Sequence, residues 1–123
     1  IKFIMSLDQE KATIHVRKLR EKAVAELSKI KGITIYNPNS DFGVVSFNID
    51  GVHPHDASSV FDEYGVCIRS GHHCASILTD VLGTPGGTIR ASISIYNDDS
   101  DIDALVEAAK RAASFFGGYL KWK

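Results

Sequence analysis

The stretch Thr88–Ile95 constrains the fold more than any other part of this sequence. Apolar residues at 89, 91, 93 and 95 alternate strictly with Thr88, Arg90, Ser92 and Ser94. Because successive side chains of a strand point to opposite faces of a sheet, this pattern predicts a β-strand with one buried face and one polar face. Arg90 then lies on the polar face, where a charged side chain among Thr and Ser needs solvent, an anion or another domain.

Three longer segments instead repeat their apolar residues at helical spacing. The first predicted helix covers roughly residues 7–31 and is capped by Gly32. The second begins at Pro54, and the third follows the acidic cap at 97–100 and ends at Gly117–Gly118. The predicted buried faces are Ala12, Val16, Leu19, Ala23, Leu27 and Ile30 in the first helix, Ala57, Val60, Phe61 and Tyr64 in the second, and Ile102, Leu105, Val106, Ala109, Ala113 and Phe116 in the third.

Short apolar runs predict the remaining strands at Ile33–Tyr36, Gly43–Ile49 and Val66–Ile68, and a short helix-like segment at Ala75–Leu82. The resulting order is α-β-β-α-β-(short helix)-β-α. Amphipathic helices must bury their apolar stripes against the sheet. We therefore expect an α/β chain built as an α+β two-layer sandwich, with about four strands and the helices on one face. Its 123 residues suit a single domain.

Composition excludes several classes of function. The formal net charge of −1 gives no basic surface for nucleic acid, and no apolar stretch is long enough to span a membrane. No signal peptide is visible, so the expected location is cytoplasmic. The chain opens at Ile1 without an initiator Met, and we therefore expect an upstream part to be absent.

The segment Arg69–Ala75 (Arg-Ser-Gly-His-His-Cys-Ala) carries the clearest chemical signal. Gly71 permits backbone angles closed to other residues, so the chain is expected to turn here after the preceding strand. Cys74 then follows His72 and His73 and lies near Arg69. Positive groups favour the thiolate, which is the nucleophilic form of cysteine. Cys74 is therefore a candidate nucleophile, although an ordinary free cysteine in a loop is the alternative.

Three other interpretations of these residues are open but less favoured. Adjacent His-His-Cys residues cannot easily surround one ion, so no metal site is expected. Cys67 lies in an apolar run and is expected to be a small buried side chain, which disfavours a disulfide with Cys74. A noncatalytic interaction module would leave the cysteine loop and Arg90 without a shared purpose. His53 and His55 flank a helix start and are assigned no chemistry.

Arg69–Ala75 resembles the Arg-x-Gly-His-His-Cys-Ala loop of group II cysteine desulfurases, within the class V aminotransferase family. The segment Ile89–Ser92, followed by Tyr96-Asn97, is similar to the Arg-Ala-Ser…Tyr-Asn segment of the same family. The similarity continues through residues 101–106, and the upstream part fits more loosely. The resemblance implies the small C-terminal domain of a fold type I enzyme that depends on pyridoxal 5′-phosphate.

The resemblance also implies a reaction. Cys74 would attack the sulfur of L-cysteine, leaving L-alanine and a persulfide on Cys74 for a sulfur-acceptor protein and iron-sulfur cluster assembly. Arg90 would bind the substrate carboxylate through its two-pronged donor geometry. Arg69 would assist the loop or the carboxylate. His72 and His73 would be either acid–base groups or loop supports. Selenocysteine lyases and other class V aminotransferase-like enzymes share this frame, so the substrate stays open.

One feature of the family is missing from this chain. Family members hold the cofactor through a Schiff-base lysine on a larger N-terminal domain, and no lysine here lies in a matching context. The chain is therefore expected to be a fragment that is inactive alone and that belongs to an enzyme dimerising at full length. The loop Leu82–Thr88 is also longer than the resemblance predicts, which leaves the local geometry at Arg90 open.

Overall fold

The computed structural model describes residues 1–120, with side chains as far as Gly117. Five helices and four strands follow one another in the order α-α-β-β-α-β-α-β-α. The helices are α1 (Lys2–Ser6), α2 (Gln9–Ser28), α3 (Pro54–Glu63), α4 (Ser76–Val81) and α5 (Asp99–Leu120). The strands are β1 (Ile33–Ile35), β2 (Val44–Ile49), β3 (Arg69–Gly71) and β4 (Thr88–Ser92). Among the described residues, no helix is long and apolar enough to cross a membrane.

The four strands form one antiparallel sheet in the order β1-β2-β4-β3. β4 is an inner strand whose Arg90 lies opposite Ser46 of β2 on one side and Arg69 of β3 on the other. Ile89 and Ala91 point to the opposite face and are buried. The predicted two-faced strand is therefore confirmed, although it ends at Ser92 and not at Ile95.

The core lies between one face of the sheet and helices α2, α3 and α5. Phe47 of β2 and Phe61 of α3 meet at its centre with ring centroids 6.2 Å apart. The other buried side chains of this cluster are Leu19, Ala23, Leu27, Val45, Ile49, Val52, Ala57, Ile89, Ala91, Ile102, Leu105, Val106, Ala108, Ala109 and Ala112. Burial of a large aliphatic or aromatic side chain contributes about 1.5–3 kcal/mol. The α+β two-layer sandwich with helices on one face is the observed fold.

The first predicted helix begins slightly later than expected, and the short helix α1 before it was not predicted. Leu7 is extended, and Asp8 accepts a hydrogen bond from the Lys11 backbone N–H at 3.0 Å, so α2 begins at Gln9. A short carboxylate side chain before a helix satisfies one of its free backbone donors, which fixes this start. α2 ends at Ser28, with Lys29 as its C-cap. The prediction that Gly32 caps the helix was wrong, since Gly32 lies in the turn before β1 with φ +87°.

The second helix is also shorter than predicted. α3 ends at Glu63, so Tyr64 falls in the following turn and is 43% exposed, where the sequence placed it on the buried face. The end predicted for the last helix at Gly117–Gly118 was wrong as well, because α5 continues to Leu120. A glycine inside a helix costs only about 1 kcal/mol, which does not force a helix to end.

The predicted third strand is displaced by several residues. Residues 66–68 are not paired with another strand, and pairing begins at Arg69, the residue expected to end the run. Val66 and Ile68 pack against the core, whereas Cys67 between them is exposed. In an extended backbone, successive side chains point to opposite sides, and the core covers only one side of this segment. The prediction of a buried Cys67 was therefore wrong.

Candidate active site

The segment from Arg69 to Ala75, which we call the cysteine loop, leaves the sheet through an unusual backbone. Gly71 has φ +113°, and the two non-glycine residues His73 and Cys74 have φ +55° and +61°. Left-handed backbone is unfavourable for residues with a Cβ, and two such residues in succession persist only where surrounding contacts hold them. Cys74 is exposed at the end of this turn. The loop thus presents a thiol on a strained and supported backbone.

Two imidazoles attach the cysteine loop to the connection before β4 and to the first residue of β4. His72 donates from Nε2 to the carbonyl oxygen of Pro85 at 2.9 Å. His73 donates from Nε2 to the carbonyl oxygen of Thr88 at 3.0 Å, with the Thr88 hydroxyl at the same distance. A carbonyl oxygen only accepts, so both rings carry a proton on Nε2. The loop Leu82–Thr88, whose effect the sequence left open, therefore supports the cysteine loop.

His73 lies in an environment that disfavours its charged form. Burial lowers the pKa of His73 below its ordinary value, and the nearby charges of Arg90, Arg69 and His72 lower it further, against the hydrogen bond to Thr88. With the proton on Nε2, Nδ1 is an acceptor, and it is buried without a partner among the described residues. His73 is therefore a neutral imidazole at neutral pH.

Arg69 and Arg90 are directly opposite each other on neighbouring strands. Opposite residues of an antiparallel pair lie on the same face with their Cβ atoms about 5 Å apart, and like charges there are destabilising. Arg69 is exposed, and Arg90 is partly buried with an Nε that has no partner among the described residues. The arrangement brings together two residues that the sequence singled out separately. It forms a positive site suited to a carboxylate or another anion.

His55, to which sequence reasoning assigned no chemistry, lies against the cysteine loop, and His53, also assigned none, stacks on His55. Their rings stack with centroids 5.4 Å apart at the start of α3. His55 Nδ1 is 3.0 Å from the hydroxyl oxygen of Ser70, and its ring lies beside Gly71. His53 Nδ1 accepts from the backbone N–H of His55 at 3.2 Å, as an N-cap. The only signal in the sequence was two histidines around a helix start, which gives no long-range partner.

The two cysteines are free thiols. Among residues 1–120, no three His, Cys, Asp or Glu side chains are grouped so that they could hold a metal ion. The chemical features of the site are therefore the Cys74 thiol, the pair Arg69 and Arg90, and the imidazoles around the loop.

Comparison with known proteins finds a family model and several relatives that agree with one another. The family model described as aminotransferase class-V matches residues 1–105. A probable cysteine desulfurase of Halalkalibacterium halodurans is 38% identical over 117 residues, covering 95% of this chain and 29% of the relative. One from Halobacterium salinarum is 38% identical over 118 residues, covering 94% and 28%. The chain thus spans less than a third of the length of these relatives.

Solved structures show the same likeness in three dimensions. The crystal structure of the Escherichia coli cysteine desulfurase CsdA, in its S-sulfonic acid form, matches with a TM-score of 0.86 and 35% identity. It covers 93% of this chain, which corresponds to 28% of CsdA. The apo cysteine desulfurase of Thermococcus onnurineus NA1 matches with a TM-score of 0.85 and 29% identity, covering 92% of this chain and 28% of the other. Both likenesses extend over nearly all of the sandwich described above.

Proposed function

This chain belongs to the aminotransferase class-V family, and from that premise we propose that it is the small C-terminal domain of a cysteine desulfurase. The enzyme converts L-cysteine to L-alanine and keeps the sulfur as a persulfide on Cys74. The observation that carries this proposal is the pair Arg69 and Arg90, directly opposite each other beside the loop that exposes Cys74. A small amino acid whose carboxylate is bound by these arginines would lie near the Cys74 thiol.

The chemistry assigned to this chain's own residues has two parts. Arg90 binds the substrate carboxylate, with its buried Nε–H available as a donor, and Arg69 reinforces the positive field from the rim. Cys74 Sγ, as thiolate, forms a bond to the substrate sulfur while the carbon–sulfur bond of the substrate breaks. The electron pair of the broken bond goes to carbon, which takes up a proton and yields alanine. The second sulfur stays on Cys74 and passes to an acceptor thiolate.

Family membership implies pyridoxal 5′-phosphate, but the residues of this chain do not fit as its holding site. The sequence has no lysine between Lys31 and Lys110, so neither the cysteine loop nor β4 offers an amine for a Schiff base. Lys22 is held between Asp99 at 3.1 Å and Asp103 at 2.7 Å, and these bonds raise its pKa. We assign the cofactor to an N-terminal large domain, and we expect the isolated chain neither to retain it nor to turn over cysteine.

The partners in this proposal follow from the same assignment. They are L-cysteine as substrate, a sulfur-acceptor protein that serves iron-sulfur cluster assembly, the large domain of the same chain and a second copy of the enzyme. The location in this proposal is cytoplasmic.

Replacing Cys74 in the full-length enzyme tests the nucleophile. Cys74→Ser should leave cysteine binding unchanged, read from the visible spectrum of the cofactor, because the carboxylate site is intact. It should abolish persulfide and alanine formation, since a hydroxyl is a far weaker nucleophile at neutral pH. Cys67→Ser is the matched control and should keep both cysteine binding and the formation of persulfide and alanine. Persulfide found by mass spectrometry on Cys67, or turnover by Cys74→Ser, would refute the assignment.

Replacing Arg90 tests the carboxylate site in the same enzyme. Arg90→Ala removes a charge-assisted hydrogen bond worth about 1.5–3 kcal/mol, so cysteine binding should weaken about 10-fold to 100-fold. Arg111→Ala is the control, because Arg111 is exposed and, among the residues whose side chains are described, forms an ion pair only with Glu107 of its own helix. If Arg90→Ala binds cysteine as tightly as the parent, the carboxylate is held elsewhere. The same titration with L-selenocysteine measures the substrate preference.

A further inference from the structure

The conformation of the cysteine loop requires a restraint that the proposed chemistry does not supply. His73 and Cys74 both have left-handed backbone angles, at φ +55° and +61°. Neither residue is a glycine, so this conformation is intrinsically disfavoured and a free loop would leave it. The direction in which Cys74 presents its thiol depends on these two residues. Something must therefore hold them in place.

The contacts of His73 identify the restraint. Its Nε2–H is donated at 3.0 Å to the carbonyl oxygen of Thr88, and the Thr88 hydroxyl lies at the same distance. Thr88 is only 4% exposed and begins β4, an inner strand of the sheet. It is also the direct partner of Gly71, where the cysteine loop leaves β3. The hydrogen bond thus closes the loop onto β4, the strand that pairs with β3 at the point where the loop departs.

We propose that His73 is a positioning residue whose Nε2–H bond to Thr88 holds the left-handed turn and so directs the Cys74 thiol. The inference rests on the proposed role of Cys74 as the sulfur-accepting nucleophile. It resolves the choice between acid–base catalysis and loop support in favour of support.

The surroundings of His73 argue against proton transfer. Its Nε2 proton is already donated, and its Nδ1 is buried. The charged groups that face the ring are Arg90 from β4 and Arg69 from β3, with His72 adjacent in the loop. All three disfavour a second proton, and the lowered pKa of His73 agrees with this geometry. A group that stays neutral with its one proton engaged can orient its neighbour but is a poor acid.

His72 plays a different part. Its ring is exposed and donates to Pro85 at 2.9 Å, in the connecting loop and not in the sheet. Of the two residues, only His73 has a left-handed backbone. The restraint on Cys74 is therefore assigned to His73 alone.

Two variants of the full-length enzyme distinguish the effect of the hydrogen-bond donor at position 73 from that of the left-handed backbone there. His73→Gln keeps an N–H donor with similar reach but cannot act as an acid or base. His73→Gly adopts left-handed angles without cost, so it should fold, but it lacks the donor. His15→Gln is the matched control, because His15 on α2 also has its Nε2 near a backbone oxygen, Asn97 at 2.7 Å, but far along the chain from the loop.

Two measurements are made on each variant. Hydrogen–deuterium exchange of peptides covering residues 71–76 reports loop order and needs no turnover. Single-turnover persulfide formation on Cys74, with the KM for cysteine, reports presentation of the thiol. For His73→Gly we expect faster loop exchange and persulfide formation about tenfold slower at unchanged KM, as expected for one lost hydrogen bond. His73→Gln should stay within about threefold of the parent in both, and His15→Gln should match the parent.

The outcomes distinguish the alternatives. If His73→Gln is as slow as His73→Gly while its loop exchange is normal, His73 is an acid or base and the proposal fails. If His73→Gly exchanges and reacts like the parent, the hydrogen bond does not hold the thiol and the proposal also fails. A parent enzyme that forms no persulfide on Cys74 refutes the proposed function instead. In that case the exchange measurement still decides whether His73 orders the loop.

Discussion

At the scale of single residues, the site depends on two backbones that approach each other closely. A Cβ placed on Gly87 would lie 2.3 Å from the carbonyl carbon of Gly71, far inside contact distance. Gly87 also has φ +84°, a conformation that other residues rarely adopt. This contact joins the exit of the cysteine loop from β3 to the start of β4. The position of Cys74 relative to Arg90 therefore depends on a glycine at 87.

Gly87→Ala should destabilise the chain strongly, since both the left-handed angle and the contact with Gly71 oppose a methyl group. We expect a loss of at least about 2 kcal/mol in the free energy of unfolding, measured by denaturant titration. Gly83→Ala is the matched control: φ at Gly83 is +69°, but nothing lies within 4 Å of its Cβ position. It should lose only about 1 kcal/mol. Equal losses for the two variants would show that the close approach to Gly71 does not oppose a methyl group at position 87.

The site residues that could be predicted from the sequence were those whose own side chain and immediate neighbours signal a function. Cys74 and Arg90 could be singled out because a thiol in a glycine turn and a charge on an apolar-alternating strand are local signals. The exposure of Cys67 could not be predicted, because it depends on which side of residues 66–68 the core covers. The contact of His55 with Ser70 joins distant segments and left no local pattern.

At the scale of elements, a buried arginine attaches α2 to the connection between β1 and β2 and to the start of β2. Arg20 is 4% exposed and donates from Nη1 to the carbonyl oxygen of Pro38 at 3.1 Å, and from Nη2 to that of Asn37. Its Nε also approaches the carbonyl oxygen of Val44 at 3.4 Å. A buried guanidinium is tolerated only where such acceptors surround it. Arg20 therefore fixes α2 against the connection between β1 and β2.

Arg20→Met tests this attachment, because methionine keeps much of the volume but none of the donors. We expect a loss of about 2–3 kcal/mol in the free energy of unfolding, since charge-assisted hydrogen bonds are removed and buried acceptors lose their partner. Arg17→Met, on the same helix, is the control. Arg17 and its partner Asp41 are more than half exposed and 3.8 Å apart, so its loss should stay below about 0.5 kcal/mol. Similar losses from both variants would contradict the role assigned to Arg20.

Elements with a strong hydrophobic pattern were predicted well, and the one strand defined only by its pairing was not. The central part of the stripe on α2 is confirmed by the burial of Leu19, Ala23 and Leu27, whereas Ala12 and Val16 are only partly buried. Ile30 lies beyond the end of the helix. β3 was misplaced, because its pairing residues Arg69–Gly71 are polar or small and only their hydrogen bonds to β4 make them a strand. The apolar run before them satisfies the strand pattern but lies beyond the paired region.

At the scale of the whole molecule, the sandwich separates packing from chemistry. The helices cover one face of the sheet, and the other face carries Arg69 and Arg90 next to the cysteine loop. This division was predictable, because the alternation along β4 assigns the two faces without knowledge of the partners. The approach of the cysteine loop to residues 82–88 was not predictable, since it rests on the contacts of His72 with the Pro85 carbonyl oxygen and of His73 with that of Thr88.

Two groups with shifted pKa values make the stability of the molecule depend on pH, one under acidic and one under basic conditions. Hydrogen bonds from the Ser100 hydroxyl and from the backbone N–H groups of Ser100 and Asp101 lower the pKa of Asp98 at the start of α5. This stabilisation is complete above the ordinary value of 3.8 and is lost as the pH falls through the lowered value. The bonds of Lys22 to Asp103 and Asp99 raise its pKa, so their contribution is complete below 10.5 and is lost above it.

Between these limits, His73 should make stability depend on pH. Burial lowers its pKa below the ordinary value of 6.5, so the unfolded chain takes up this proton at a higher pH than the folded one. Where the unfolded state binds more protons, stability rises with pH. The contribution of His73 is therefore complete above 6.5 and is lost as the pH falls below it. His73→Gln, which does not titrate, should flatten this part of the profile, whereas His15→Gln should keep it. Denaturant midpoints measured from about pH 8 to about pH 5 make the comparison, and a parent as flat as His73→Gln would show that His73 titrates alike in both states.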